Sequence, residues 1–457
     1  MTDRGMEESL DQPRVIGRRE AFGFWLKLGL ISFGGPAGQI AILHQELVER
    51  RRWISERRFL HALQYCMVLP GPEAQQLATY LGWLMHRTLG GVVAGVLFVL
   101  PSLLILILLS WLYVAFGETT WLAGLFYGMK PAVIAIVLQA THRIGSRTLK
   151  SGWLWGLAGT AFMAALSGQV PFPAIVGAAA LLGWVGGRIA PSQFQSSGGH
   201  GGAKKNYGSA MIDDGTPTPE HARFRWSRLL AVGAVGLALW GVPMAFLTLW
   251  GGWSHTLTQM GWFFTQAALL TFGGAYAVLP FVTQGAVVEY GWLSPAQMID
   301  GLALGETTPG PLIMVVAFVG FVGAHGQALF GPESHFLAGA TAACVATWFT
   351  FLPSFVFILA GGPLVESTHG EIKFTAPLTA ISAAVVGVIL NLALFFATNV
   401  LWPAGWGGRV EWVSAGLAVG AAVALFRFKR SVMEVIAVCA VAGWIVKLML
   451  LGTSWRS

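Results

Sequence analysis

Charged side chains are scarce in this 457-residue sequence, where Asp, Glu, Lys and Arg together make up 11%. Soluble proteins average about 25%, so the composition excludes a soluble protein. The sequence also lacks the alternating polar and apolar pattern of β-barrel strands. Helices are then the elements that can satisfy all their backbone hydrogen bonds in lipid. Several apolar runs approach the roughly 20 residues that a membrane-crossing helix needs: Val92–Leu112, Leu229–Leu249, Phe374–Leu401 and Val432–Leu451.

The residue patterns of common enzyme and metal sites are missing as well. The three cysteines, Cys66, Cys344 and Cys439, form no CxxC pair, which disfavours a disulfide framework or a thiolate metal site. The ten histidines are scattered without HExxH spacing, and the stretch GGHGGAKK lacks the Gly-Lys-Ser/Thr ending of a phosphate loop. We therefore predict no catalytic residues, metal site, cofactor or nucleic-acid partner, and a membrane enzyme is the least favoured alternative.

An internal duplication organises the chain. Motifs of the first half recur in the second at a constant offset of 239 residues, as from Phe33 to Phe272. A repeat of this kind predicts two related structural units. The matching segments are Ser32–Gly35 with Thr271–Gly274, Trp53–Ser55 with Trp292–Ser294, and Pro70–Pro72 with Pro309–Pro311.

Five regions follow from the repeat and from composition. Residues 191–228 are rich in Gly, Ser, Lys and Arg, which predicts a flexible cytoplasmic linker. Residues 1–20 are polar and lack the apolar core of a signal peptide, so the membrane helices are expected to direct targeting. The predicted regions are a cytoplasmic tail (1–20), an N-terminal repeat (21–190), the linker (191–228), a connecting transmembrane helix (229–250) and a C-terminal repeat (251–457).

The charges of two equivalent loops indicate that the halves are inverted. Glu46–Arg58 carries five arginines, whereas its counterpart Gln284–Gln297 has no Lys or Arg and contains Glu289. Basic loops concentrate in the cytoplasm, so the two loops are expected on opposite sides of the cytoplasmic (inner) membrane. This multi-pass topology puts the N-terminus in the cytoplasm and the C-terminus in the periplasm.

The predicted fold class is an all-α polytopic membrane protein with two homologous, inverted-topology halves. Each half has two helical hairpins broken by Gly and Pro, followed by about four spanning helices. Full crossings by the broken segments are the alternative, and they would put the arginine-rich loop outside. The predicted spans are 89–116, 121–141, 153–168 and 172–187 in the first half, and 336–360, 377–401, 411–427 and 431–450 in the second.

Broken segments at matching positions of inverted repeats are typical of transporters that bind substrate near the bilayer midplane. Each break exposes N–H groups at a new helix start, with about half a positive charge, so four starts together would hold an anion. Simple kinks are the alternative. The predicted substrate-binding residues are Lys27, Gly34, Gly35, Pro36, Gln39, Gly71, Gln75, Gln76, Thr271, Gly273, Gly274, Thr307, Thr308 and Gly310.

Two acidic residues near the breaks are the predicted proton-coupling groups. Glu73 and Glu306 would repel an anion when ionised, and each would carry a proton when neutral. Their alternative role is structural, with the carboxyl paired to backbone N–H groups. Lys27 has the alternative of reaching the interface with its ammonium group. Lys130 and Asn391 are polar positions in apolar spans that the sequence does not rank.

Four longer motifs resemble the signatures of the chromate ion transporter (CHR) family. They lie at Phe33–Ala41, Leu69–Trp83, Thr271–Pro280 and Gly301–Phe321, in the order of its two-domain members. The resemblance implies export of chromate from the cytoplasm, driven by the proton motive force, with chromate resistance. It also implies an interaction with sulfate as an isosteric dianion. The predicted partners are chromate, sulfate, membrane lipid and a second copy in a homodimer. A sulfate or other oxyanion importer or exchanger on the same scaffold is the alternative function.

Overall fold

The computed structural model describes residues 16–194, 207–327, 329–331, 333–367 and 375–454. Most of the predicted N-terminal tail and the middle of the predicted linker lie outside these ranges. Within them, every regular element is helical, and one isolated bridge pairs Ile54 with Ile212.

The first repeat contains seven α-helices. They are α1 (Arg18–Ile31), α2 (Gly35–His44), α3 (Glu56–Val68), α4 (Glu73–Phe116), α5 (Thr120–Thr148), α6 (Gly152–Ser167) and α7 (Phe172–Ile189).

A connecting helix, α8 (Trp226–Gly251), precedes the second repeat. The helices of that repeat are α9 (Thr256–Leu270), α10 (Ala275–Thr283), α11 (Pro295–Thr307), α12 (Val315–His325), α13 (His335–Ser367), α14 (Thr375–Leu401), α15 (Trp412–Phe426) and α16 (Val432–Ser454).

The offset of 239 residues holds in three dimensions. Short π-helices follow α2 and α10 at Gln45–Arg50 and Gln284–Glu289, and the bounds of α3 and α11 differ by the same offset. The loop after each π-helix has one residue of left-handed backbone, Arg52 (φ 51°) in the first repeat and Gly291 (φ 61°) in the second. The two hairpins are therefore copies of one conformation, although one loop is basic and the other is not.

Helix α4 combines two elements that are separate in the second repeat. Its 44 residues are interrupted by non-helical backbone at His86 and Arg87, which divides it into arms of 73–85 and 88–116. These arms correspond to α12 and α13. The predicted pattern of two broken hairpins followed by four spanning helices is thus observed in both repeats.

Most spanning helices match their predicted bounds closely, with two exceptions that extend further. Helix α5 continues to Thr148, beyond the predicted end at residue 141, and α13 continues to Ser367, beyond the predicted end at residue 360. Among the described residues, seven helices are long and apolar enough to cross a membrane. The connecting helix α8 exposes large apolar side chains such as Leu237, Val242 and Leu249, as expected of a lipid-facing surface.

The two repeats exchange helices. Helices α6 and α7 pack against α14, whereas α15 and α16 pack against α5, and α5 contacts α14. Small residues allow these close crossings: a Cβ on Gly443 would lie 2.9 Å from Gly124 O, and one on Gly387 would lie 2.8 Å from Phe162 N. Each repeat therefore completes the core of the other.

The predicted flexible linker needs a correction over residues 207–225. Met211 N donates to Arg52 O at 3.0 Å, and Ile212 N donates to Trp53 O at 3.1 Å. The side chains of Ile212 and Ala222 are buried in the core of the first repeat. The buried side chains of Ile212 and Ala222 therefore attach this segment to the first repeat. The prediction missed this contact because it was based on the average composition of the segment, which is polar.

Candidate functional site

The four helix breaks meet at the interface between the repeats. Helix α1 ends before Ser32, and α9 ends before Thr271. The carbonyl of Ser32 accepts a hydrogen bond from Gly310 N, and that of Thr271 accepts one from Gly71 N, both at 2.8 Å. The Pro-Gly-Pro loop of each repeat therefore closes the first break of the other.

Both loop glycines lie where a side chain does not fit. Gly310 has φ of 104°, and a Cβ there would come within 2.6 Å of Ser102 Cβ. Gly71 has φ of 131°, and a Cβ there would come within 2.5 Å of Gln76 Nε2. Since left-handed backbone favours glycine, conformation and packing both require it at these positions.

Three buried glutamines surround this crossing. Gln39 Nε2 donates to Gly310 O at 2.5 Å, Gln75 Nε2 to Thr79 Oγ1 at 3.0 Å, and Gln76 Nε2 to Pro70 O at 2.8 Å. All three Oε1 atoms are buried without a hydrogen-bond partner. Buried polar atoms normally have partners, so these amides have unused hydrogen-bonding capacity. The repeat equivalents are apolar, namely Val278, Met314 and Val315, which makes the crossing asymmetric.

The glycine pairs have different surroundings in the two repeats. Gly34 (φ 89°) and Gly35 (φ 70°) precede Pro36 at the start of α2, and an added Cβ at either glycine would meet open space. At the start of α10, a Cβ on Gly274 would stand 4.0 Å from Glu73 Oε1. Glu73 is itself the first residue of α4.

The carboxyl of Glu73 is thus placed where two helix starts, from α4 and α10, offer N–H groups and partial positive charge. Arg147 on α5 is the cationic side chain that acts on it. Helix starts of this kind favour a bound anion, and among the described residues no backbone N–H donates a hydrogen bond to the Glu73 carboxyl.

The second predicted carboxyl belongs to a chain of polar groups that leads to α5. Glu306 is buried at the end of α11, and its Oε1 accepts a hydrogen bond from the hydroxyl of Tyr276 at 2.5 Å. The guanidinium of Arg143 lies 5.7 Å from the centre of the Tyr276 ring. Arg143 is therefore linked to Glu306 through Tyr276, whereas the exposed Arg147 acts on Glu73 through its charge, with no ion-pair contact between them in the described part of the chain.

Other predicted residues have local partners or lie apart. The hydroxyls of Thr271, Thr307 and Thr308 donate to carbonyls within their own helices, at 2.6, 3.0 and 3.1 Å. Gly273 is exposed, with Ser382 Oγ 3.4 Å from an added Cβ. Lys27 is on an exposed face of α1 with apolar neighbours such as Leu26, away from the buried polar groups.

Sequence reasoning missed Arg143, Arg147 and Tyr276 as site residues. The arginines follow the predicted span 121–141, whereas in the structure they lie in the last two turns of α5. Their spacing of four residues on a continued helix is a signal that could have placed both on one face.

These features define a class of protein: a helical membrane transport protein made of two repeats, with a polar site where their broken helices meet. The model of the chromate transporter family matches residues 19–184 and 258–444, so it matches each repeat once, and the two matches begin at the same offset. The chain belongs to the chromate transporter family.

Curated relatives agree with this assignment. The chain is 35% identical to a chromate transport protein of Pseudomonas aeruginosa over 95% of this chain and 94% of that protein. It is 30% identical to a chromate transport protein of Cupriavidus metallidurans, over 90% and 88%. An uncharacterized transporter of Bacillus subtilis is 28% identical over 30% of this chain and 71% of its own length. No solved structure matches the chain.

Proposed function

We propose that this protein exports chromate from the cytoplasm, driven by the proton motive force, and thereby confers chromate resistance. The supporting observation is the placement of Glu73 at the starts of α4 and α10, beside Gly274 and under the influence of Arg147. Two helix starts that converge near a cationic side chain suit an oxyanion. Family membership supports chromate as that oxyanion.

The energetics favour export of a dianion. Moving one charge across 100 mV is worth about 2.3 kcal/mol, so two negative charges leaving a negative interior gain about 4.6 kcal/mol per 100 mV. Import would have to oppose the same energy. Inward movement of a proton in exchange adds a further favourable charge movement.

The site residues suggest how proton and anion are exchanged. Exchange requires that chromate and the proton occupy the site alternately, because a site that carried both at once would move them in the same direction. Glu73 and Glu306 are the proton carriers, and Tyr276 links Glu306 to Arg143. In this scheme Arg143 and Arg147 receive chromate at the cytoplasmic end of α5, chromate leaves on the periplasmic side, and the two carboxyls then take up protons that they release into the cytoplasm.

The proposed setting is the cytoplasmic (inner) membrane, with the arginine-rich loop after α2 inside and the equivalent loop after α10 outside. The N-terminus is then cytoplasmic, and α16 ends at the periplasmic side. The segments α1–α2, α9–α10, α11–α12, and α3 with the first arm of α4 (73–85), enter the membrane and return to the same side.

Transport in inside-out membrane vesicles tests this proposal. Vesicles that contain the protein should accumulate chromate when respiration is energised, and an uncoupler should abolish the accumulation. Vesicles with Gly273→Val protein, present at equal amounts, are the control. Energy-independent entry, or accumulation only in right-side-out vesicles, would contradict export. Excess sulfate is added in a parallel arm, and driven accumulation of sulfate without chromate transport would favour the sulfate alternative.

A further inference from the structure

A buried carboxyl outside the substrate region joins three helices. Asp300 on α11 is 3% exposed. Its Oδ2 lies 3.4 Å from Lys130 Nζ on α5 and accepts a hydrogen bond from the hydroxyl of Tyr113 on α4 at 3.0 Å. Its Oδ1 is buried and has no hydrogen-bond partner. A carboxylate oxygen buried in this way costs free energy unless a proton or a donor reaches it.

Asp300 and Glu306 lie towards opposite ends of α11. They are six residues apart, about 9 Å along the axis at about 1.5 Å per residue. Asp300 lies nearer the start of α11 at Pro295, on the side that the proposed topology assigns to the periplasm. Glu306 lies at the break, next to Tyr276. A proton that enters along α11 from outside therefore reaches Asp300 first.

The ion pair also spans two structural units. Lys130 belongs to α5, which packs against α14, α15 and α16, whereas Asp300 belongs to a broken hairpin. Lys130 has 28% of its side chain exposed, compared with 4% for Asp300. The lysine is therefore free enough to separate from a carboxyl that has become neutral. The charged and titratable groups that act on Asp300 are Lys130 and Tyr113; among the described residues, α12, α14 and α16 add none.

We propose that Asp300 is the outer binding site for the coupling proton, and that its ion pair with Lys130 is the unprotonated state of that site. A proton from the periplasm binds Asp300 Oδ1 and converts the carboxylate to a neutral carboxyl. The attraction to Lys130 is lost, and α11 is released from α5 with Glu306 on it. This inference rests on the proposed proton-driven export.

The test uses the purified full-length protein in liposomes with two assays. Exchange of labelled chromate at equal pH and zero potential measures substrate movement alone, and net uptake under an imposed pH gradient measures coupling. Asp300→Asn should keep exchange and reduce gradient-driven uptake about tenfold, within the usual range for coupling between two bound ligands. Lys130→Gln should keep exchange and move the half-maximal pH of driven uptake upward, because the carboxyl then holds its proton without a competing cation.

Glu411→Gln is the matched control. Glu411 accepts a hydrogen bond at 3.1 Å from the hydroxyl of Tyr127, which lies on α5, and it has no ion-pair partner in the described part of the chain. Both assays should stay at wild-type values. Asp300→Asn protein that still responds fully to the gradient, or that loses exchange and uptake together, overturns the inference. Absence of wild-type chromate exchange instead overturns the proposed function.

Discussion

The backbone N–H of Gly310 donates a hydrogen bond to the carbonyl of Ser32 at 2.8 Å, and this bond joins the second repeat to the end of α1. The last carbonyls of a helix lack partners within it. Gly71 serves the end of α9 in the same way through Thr271, also at 2.8 Å. Each broken helix is therefore completed by a loop of the other repeat.

Replacing Gly310 by alanine should impair this crossing. The Cβ would lie 2.6 Å from Ser102 Cβ at a φ of 104°, so we expect a loss of about 1–3 kcal/mol in stability from overpacking and little transport. Thermal unfolding of the purified protein and vesicle uptake measure the two effects. Gly405→Ala is the control, because Gly405 has a φ of 85° and open space around it. Equal effects of both substitutions would show that the contact with Ser102 is unimportant.

Neutralising the carboxyls should change how substrate affinity depends on pH. In the wild type, apparent affinity for chromate should rise with pH, because in an exchange mechanism a proton on Glu73 or Glu306 keeps the site in its proton-carrying state until the proton leaves. In Glu73→Gln and Glu306→Gln this rise should be reduced. Chromate exchange measured across a pH series tests the prediction, with exposed Glu289→Gln as the control. Wild-type pH profiles in both site variants would rule out the carboxyl role.

Arg147→Gln and Arg143→Gln should weaken chromate binding. Hydrogen bonds to charged groups contribute about 1.5–3 kcal/mol, so the KM for chromate should rise roughly ten- to a hundredfold. Arg188→Gln is the control, because Arg188 stacks on Trp184 at the end of α7 with its guanidinium 3.9 Å from the ring centre. A similar KM increase in the control would indicate a general effect of surface charge.

Cysteine labelling should place the two equivalent loops on opposite sides of the membrane. Arg50 and Glu289 are related by the repeat offset and are both exposed. In a variant without Cys66, Cys344 and Cys439, an impermeant maleimide should label Glu289→Cys in intact spheroplasts and Arg50→Cys only in inside-out vesicles. Labelling of both from one side would refute the proposed topology.

Much of the fold was predictable because the duplication left the same residues at the same spacing. Ser55 and Ser294 both cap a following helix through their side chains, and such local signals survive in the sequence. The predicted end of α5 at residue 141 is seven residues short, because the apolar run stops there and the charged Arg143 and Arg147 follow it. The contact of Ile212 with the first repeat was missed for a similar reason, because the linker is polar on average.

The candidate site was predictable only as a region. Glycine and proline positions located the breaks, but the bond between Gly71 and Thr271 joins residues 200 positions apart, and no local pattern encodes such a partner. The same holds for Tyr276 and Glu306, whose contact depends on how α10 and α11 pack. The sequence therefore identified polar residues near the breaks. It did not show which of their side chains already form hydrogen bonds within their own helices.

The exchange of helices between repeats has a consequence for biogenesis. While the ribosome is still synthesising α8, the inner faces of α5, α6 and α7 have no partner, because α14, α15 and α16 do not yet exist. The nascent first repeat is therefore incompletely packed in the bilayer until the second repeat is inserted. During this time membrane proteases can recognise its unpaired helices. A truncated polypeptide would be degraded rather than persist as half a protein, whereas two separately expressed fragments could rescue each other by assembling together.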